Sequence, residues 1–278
     1  KLTKGSIQQC GYEAVQDAHA ALRFLLANAD QYGIDTNNIF IGGTSAGAIT
    51  ALGAAFMTDN NAPSFVEERH LLHDSGPLHS SGNSLTRTPR IKAVANMWGA
   101  VYDLRELEGH QVPVISFHGT ADNTVPYDEG YPFSDLKTKI GERLCDKMYG
   151  SAAIHRKLDS LHVRNIFYPI EGAGHAPYED KRGKPNETYL FIQHKIQDFF
   201  YNEINRSGAV VQDKKDSRRY RLQMKDLKWC SWAVDGGFIV SRDDDYVTVL
   251  WRSDAKNRQI VVSGERQNGC AFQITKTL

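Results

Sequence analysis

Apolar residues recur at helix and strand intervals in alternation over the first two hundred residues, and then in short strand-like runs to the end of the chain. Val15, Ala18, Leu22, Leu25 and Leu26 fall on one helical face, with Glu13, Gln16, His19 and Arg23 largely elsewhere. Gly33 is expected to end that helical segment, which leaves Asp35-Thr36-Asn37 as a turn. Strands are predicted at Asn38–Ile41, Ile91–Trp98, Val112–Phe117 and Val163–Tyr168. Helices are predicted after residue 45, from Glu142 to about Leu161 with a break near Gly150, and from Glu187 to Ile204 with Ile192, Ile196, Phe199 and Phe200 inward. Such alternation predicts a mostly parallel sheet with helices on both faces.

The pattern changes after Asn205. Residues 206–219, with Arg206-Ser207-Gly208 and a charged run to Arg219, read as a linker. Beyond them, Trp229–Val240 reads as strand, turn and strand, and further strands are expected at Tyr246–Trp251, Arg258–Ser263 and Phe272–Lys276. The expected organisation is an α/β domain over 1–205, a linker, and a small all-β sandwich over 220–278. Within the first domain, the polar stretch from Thr58 to Arg90 is long for a loop. It suits either a pocket wall, with Leu71, Leu72 and Leu78 as lining, or a surface excursion packed by its own leucines.

Chemistry enters at Gly43-Thr44-Ser45-Ala46-Gly47, a G-x-S-x-G pentapeptide placed between a strand and a helix. A serine at such an elbow projects its hydroxyl above the sheet, and small residues at 43 and 47 are expected because the backbone bends sharply there. Two later loops, each after a predicted strand, carry Asp122 in His118-Gly119-Thr120-Ala121-Asp122 and His175 in Gly172-Ala173-Gly174-His175. Serine needs a base, and the base needs an orienting acid, so Ser45, His175 and Asp122 are the candidate nucleophile, general base and acid. His118, before Gly119, reads as a structural hydrogen-bonding residue at a strand end. Trp98 and Tyr102 end a neighbouring strand, where they suit either substrate contact or core packing.

Residues 1 to about 205 resemble the C-terminal two-thirds of an α/β-hydrolase of the carboxylesterase and lipase-like group. The resemblance rests on Ala14-Val15-Gln16-Asp17-Ala18, Tyr32-Gly33-Ile34-Asp35, Ile39-Phe40-Ile41-Gly42-Gly43-Thr44-Ser45-Ala46-Gly47 and His118-Gly119-Thr120-x-Asp122-x-x-Val125-Pro126. It implies an acyl-enzyme mechanism without cofactor, with the Ala46 amide as one oxyanion donor. A second donor, from an early His-Gly-Gly-type loop, is expected upstream, and the chain looks truncated at its start. The same Asp122 segment is shared with prolyl-oligopeptidase-type peptidases, so a serine exopeptidase is the alternative, as is a non-catalytic adhesion or scaffold protein. The tail is similar to PKD-like and immunoglobulin-like modules of secreted bacterial hydrolases, through Trp232-x-Val234-x-Gly236-Gly237-x-Ile239, Val247-x-Val249-x-Trp251 and Gly269-Cys270. By that analogy the substrate is an ester, acetyl or feruloyl groups on polysaccharides being the attractive class.

Charge is balanced, 33 basic against 33 acidic residues, which argues for neither nucleic acid nor an anionic membrane as partner. No apolar run reaches spanning length. Of four cysteines, Cys230 and Cys270 are expected to bridge within the tail, a bond that would contribute roughly 3–4 kcal/mol and place the protein outside the reducing cytoplasm, secreted or at a bacterial cell surface. Cys10 and Cys145 suit either a second bridge or two separate thiols. No Cys or His spacing fits zinc, and Asp243-Asp244-Asp245 suits a solvated turn or a calcium ligand set.

Overall fold

A computed structural model describes residues 4–62, 76–134, 142, 145–180, 182–205, 208–224, 227–267 and 271–278. The chain divides into two compact units, Lys1–Gln197 and Asp198–Leu278. In the first, α1 (Lys4–Ala27) and the short α2 (Ala29–Tyr32) precede β1 (Ile39–Thr44), α3 (Ala46–Phe56), β2 (Ile91–Met97) and β3 (Ala100–Val101). Then follow β4 (Val114–Gly119), β5 (Glu129–Gly130), β6 (Met148–Gly150), α4 (Ser151–Ser160), β7 (Asn165–Ile170) and α5 (Glu187–Asn205), which runs past the unit boundary.

The main sheet has the order β1-β2-β4-β7, with every pairing parallel. All six residues of β4 are buried, Ser116 and His118 included, as befits a central strand. On one face, Tyr12 and Val15 of α1, Leu52 and Phe56 of α3, and Ile154 and Leu158 of α4 close over Val94 and Val114. A β-carbon at Gly53 would lie 2.6 Å from Val15 Cγ2, so α1 and α3 approach closely only because that position is glycine. On the other face, Phe191 of α5 sets its ring edge against Phe117 and Tyr168. Every active loop expected from the sequence leaves the carboxyl end of a strand in this sheet, as in other open parallel sheets. The α/β class expected from the sequence, a parallel sheet flanked by helices, is the one observed.

Several expectations change in detail. Of the helix predicted from Glu142 with a break near Gly150, Glu142 is helical and Ser151–Ser160 forms α4, while Met148–Gly150 between them pairs as β6 with β3 and β5; residues 135–141 and 143–144 lie outside the described residues. Leu71 and Leu72 also lie outside them. Leu78 is wholly buried in the core.

The second unit holds the end of α5 and two antiparallel sheets. One has the order β10 (Leu227–Asp235), β13 (Gln259–Arg266), β14 (Ala271–Thr277); the other β11 (Gly237–Arg242), β12 (Tyr246–Trp251), β9 (Arg219–Gln223), β8 (Ala209–Gln212). Trp232, Ile260, Val262 and Phe272 from the first pack with Val210, Tyr220, Val247 and Val249 from the second, so the sheets form a sandwich. The span read as a linker instead contributes β8, and its charged run makes the β8–β9 turn, where Asp213 N–H donates to Arg219 O at 2.7 Å. The strand, turn and strand at 229–240 do not pair with each other. β10 and β11 belong to different sheets, joined at Gly236 with φ 78°.

The expected Cys230–Cys270 bridge is not formed. Cys230 is a free thiol whose Sγ lies 2.8 Å from Asp244 O, and Cys270 is outside the described residues. The argument for export from that bond therefore falls away. Cys10 is an exposed free thiol, and Cys145 is buried. Asp243-Asp244-Asp245 forms the turn into β12, with Asp245 paired to Arg221 at 3.1 Å. Among the described residues no helix is long and apolar enough to cross a membrane.

Candidate active site

β1 delivers the chain to Ser45, and α3 begins at the next residue. Ser45 is held at φ 53° and ψ −123°, a conformation that costs a non-glycine residue about 1–3 kcal/mol and persists only where the surroundings fix it. One restraint is the Ser45 N–H, which donates to Met97 O at the end of β2 at 2.9 Å. Another is Gly43, where a β-carbon would lie 2.3 Å from the Gly47 carbonyl carbon. At Gly47 an added β-carbon would meet nothing within 4 Å, so the steric need for a small residue falls on Gly43 alone. Trp98 (φ 45°) and Ala176 (φ 54°), which follow β2 and His175, also adopt positive φ.

Ser45, His175 and Asp122 meet across 130 residues of chain. His175 Nε2 lies 2.9 Å from Ser45 Oγ, and Nδ1 lies 2.8 Å from Asp122 Oδ2. Asp122 has no exposed side-chain surface, and its Oδ1 accepts from the Thr124 and Val125 amides at 2.8 and 3.1 Å. Burial alone would disfavour its charge. Hydrogen bonds from His118, His175 and the two amides outweigh it and hold the carboxyl well below the ordinary carboxylate range. Asp122 is thus an anion that fixes Nδ1 as the protonated ring nitrogen, which leaves Nε2 free to accept a proton from a hydroxyl. Ala46 supplies the first amide of α3; the opening N–H groups of a helix lack intrahelical acceptors and favour negative charge.

Trp98, 1% exposed, stacks on Tyr178 (centroids 5.1 Å, planes 13° apart) and sets an edge toward His175 at 6.4 Å. Tyr178 in turn leans on Tyr189. These three rings, with Thr44, Ile192, Gln193 and their neighbours, line a cavity of about 670 Å³; Ser45 and His175 are not among its lining residues, and Thr44 and Trp98 connect it to the site. Tyr102 is not among the lining residues. Its hydroxyl points at Gly11 of α1, its amide donates to Glu106 Oε1 at 3.1 Å, and burial raises its pKa. No group of three or more His, Cys, Asp or Glu side chains among the described residues is placed to hold a metal ion. Sequence reading overlooked Tyr178 and the polar set of Asn96, Ser116 and Ser151. Asn96 and Ser116 each interrupt an apolar strand run, the one signal that marks them.

Residues 8–111 match the family model BD-FAE. The matched span carries Ser45, α3 and β2 and ends ahead of Asp122 and His175. No curated protein matches the chain. Among solved structures, a thermophilic esterase from the planctomycete Thermogutta terrifontis is 21% identical, over 68% of this chain and 63% of that one, with a TM-score of 0.44. A truncated carbohydrate esterase from gut microbiota is 20% identical over 68% and 67% of the two chains, with a TM-score of 0.42. The chain thus spans less than two thirds of the length of the planctomycete esterase.

Proposed function

We propose that this chain is a serine esterase that cleaves carboxylic esters through an acyl-enzyme. The observation that carries the reading is the continuous hydrogen-bonded line from Ser45 Oγ to His175 to Asp122, anchored on a strained elbow. Ser45 Oγ attacks the ester carbonyl as His175 Nε2 takes its proton; the same proton then passes to the departing alcohol. Water, deprotonated by His175, releases the acid and restores Ser45. Asp122 stays ionised throughout and stabilises the imidazolium. The Ala46 amide is one donor to the oxyanion.

The matched BD-FAE span around Ser45 supports the ester-hydrolase reading. For substrate, the aromatic walls of Trp98, Tyr178 and Tyr189 with the Gln193 amide suit an acyl or alcohol part that presents a ring face, such as a sugar or a phenylpropanoid. We place acyl esters of polysaccharides in that class, with the β-sandwich as a spacer. The test is hydrolysis of p-nitrophenyl acetate by the chain and by its Ser45→Ala variant. Turnover lost in the variant supports the reading; turnover equal in both, or none in either alongside cleavage of aminoacyl-naphthylamides, overturns it.

A further inference from the structure

We propose that His118 is a positioning residue for the same centre: a neutral imidazole that donates from Nε2 to Asp122 and transmits the order of a buried polar chain to His175. The inference rests on the Ser45–His175–Asp122 reading. His118 is wholly buried, and its Nε2 lies 3.2 Å from Asp122 Oδ2, the oxygen that His175 Nδ1 also meets. With the Thr124 and Val125 amides on Oδ1, Asp122 receives four donors, one for each lone-pair position a carboxylate offers. Its plane and rotation are therefore fixed, and His118 is one of the two donors on Oδ2.

Hydrogen bonds on the far side of His118 decide its protonation. Nε2 faces two acceptors, Asp122 Oδ2 and, at 3.3 Å, Val125 O, so it carries a hydrogen. Nδ1 lies 2.8 Å from Ser151 Oγ. Asn96 Nδ2 donates to that hydroxyl at 3.0 Å and gives its second hydrogen to Ser116 Oγ, also at 3.0 Å, while Asn96 Oδ1 accepts the Gly99 N–H at 2.9 Å. The Asn96 amide is thereby oriented. Ser151 Oγ accepts from Asn96, and its own hydrogen is satisfied by Nδ1 if that nitrogen is bare. A charged His118 would place a second donor against Ser151 and displace that hydrogen. Ser151 is also the first residue of α4, whose amino end disfavours a cation beside it. Every donor then runs one way: Asn96 to Ser151, Ser151 to His118, His118 to Asp122.

His118 touches no reacting atom. It acts by keeping Oδ2 where His175 Nδ1 needs it, so its loss should lower turnover and leave substrate binding alone. The experiment pairs His118→Leu with His118→Gln, which retains an N–H donor at the reach of Nε2. His118→Leu is expected to lose about 10- to 100-fold in kcat, the span of one hydrogen bond to a charged group, with KM within about twofold. His118→Gln is expected to recover most of that loss. In parallel, 15N spectra of the histidine-labelled wild-type chain near neutral pH should show the His118 ring protonated at Nε2 and bare at Nδ1. A folded His118→Leu protein with wild-type kcat, a loss that lies in KM, or a glutamine variant no better than leucine would overturn the proposal. So would a His118 ring protonated at Nδ1, and this spectrum decides the matter should the leucine variant fail to fold. Absence of Ser45-dependent turnover in the wild type sinks the esterase reading, while the spectrum still tests the His118 chain by itself.

Discussion

Asp122→Asn isolates the orienting role of the carboxylate with almost no change in volume. The asparagine carbonyl can still accept from the Thr124 and Val125 amides, which lie on the same oxygen. Its NH2 group then takes the place of Oδ2, facing the His175 Nδ1 and His118 Nε2 hydrogens, so two attractive contacts become donor against donor. His175 can relieve its clash only by moving its proton to Nε2, where it points at Ser45 Oγ and can no longer accept. A wrong tautomer of this kind costs about 10,000-fold in turnover, or about 5 kcal/mol of transition-state stabilisation. The four donors on Asp122 also mean a folding cost, about 1–3 kcal/mol for the contacts left unpaired. The assay is kcat on p-nitrophenyl acetate with the unfolding midpoint measured in the same preparation. A folded variant within tenfold of wild type would refute the assigned acid.

Two further predictions concern the elbow and the core. Gly43→Ala should lower stability by about 2–4 kcal/mol and abolish Ser45 reactivity, since its β-carbon meets backbone, whereas Gly47→Ala should be tolerated; equal thermal midpoints for the two variants would contradict the geometry. Glu106 is buried, and its pKa is pushed up to about 8 from 4.5 mainly by that burial, against the pull of the Tyr102 and Asp103 amides. The folded chain thus holds a proton that the unfolded chain releases, and this group's contribution to stability declines as pH rises from about 4.5 to about 8, by at most about 1.4 kcal/mol per pH unit. Glu106→Gln keeps an oxygen acceptor and removes the titration, so denaturant unfolding should show it gaining on wild type across that window; parallel curves would disprove the assignment.

Local signals in the sequence located most of what positions the site. Strands β1, β2, β4 and β7 fall where apolar runs end in glycine or polar turns, and Ser45, Asp122 and His175 each follow such a run, so their order along the chain was readable before their proximity. Features that depend on partners across space were not. The Asp235-Gly236-Gly237 turn marks a bend but does not say whether the next strand pairs back or crosses to the opposite sheet, and here it crosses. The charged run before β9 looks like a tether because a hairpin loop has the same composition. Cys230 is a free thiol set against Asp244 O, which no count of cysteines reveals. Tyr102 shares the strand end with Trp98, yet its ring turns toward Gly11. His118 reads as a hydrogen-bonding residue, but only the placed atoms show that its partner is the acid itself.

Ser45, Trp98 and Ala176 are three of five non-glycine residues with positive φ among those described, and all three border the same few ångströms around His175. Most of the non-glycine positive-φ strain among the described residues is thus concentrated at the site. A breeding experiment that rewards heat resistance alone will therefore find easy gains at these positions, Ala176→Gly being the simplest, because each relieves a local penalty the rest of the fold now carries. Those gains loosen the elbow and the histidine loop. Selection on survival and selection on turnover should pull this chain in opposite directions, and a thermostable descendant is best sought in the second unit, far along the sequence from the elbow.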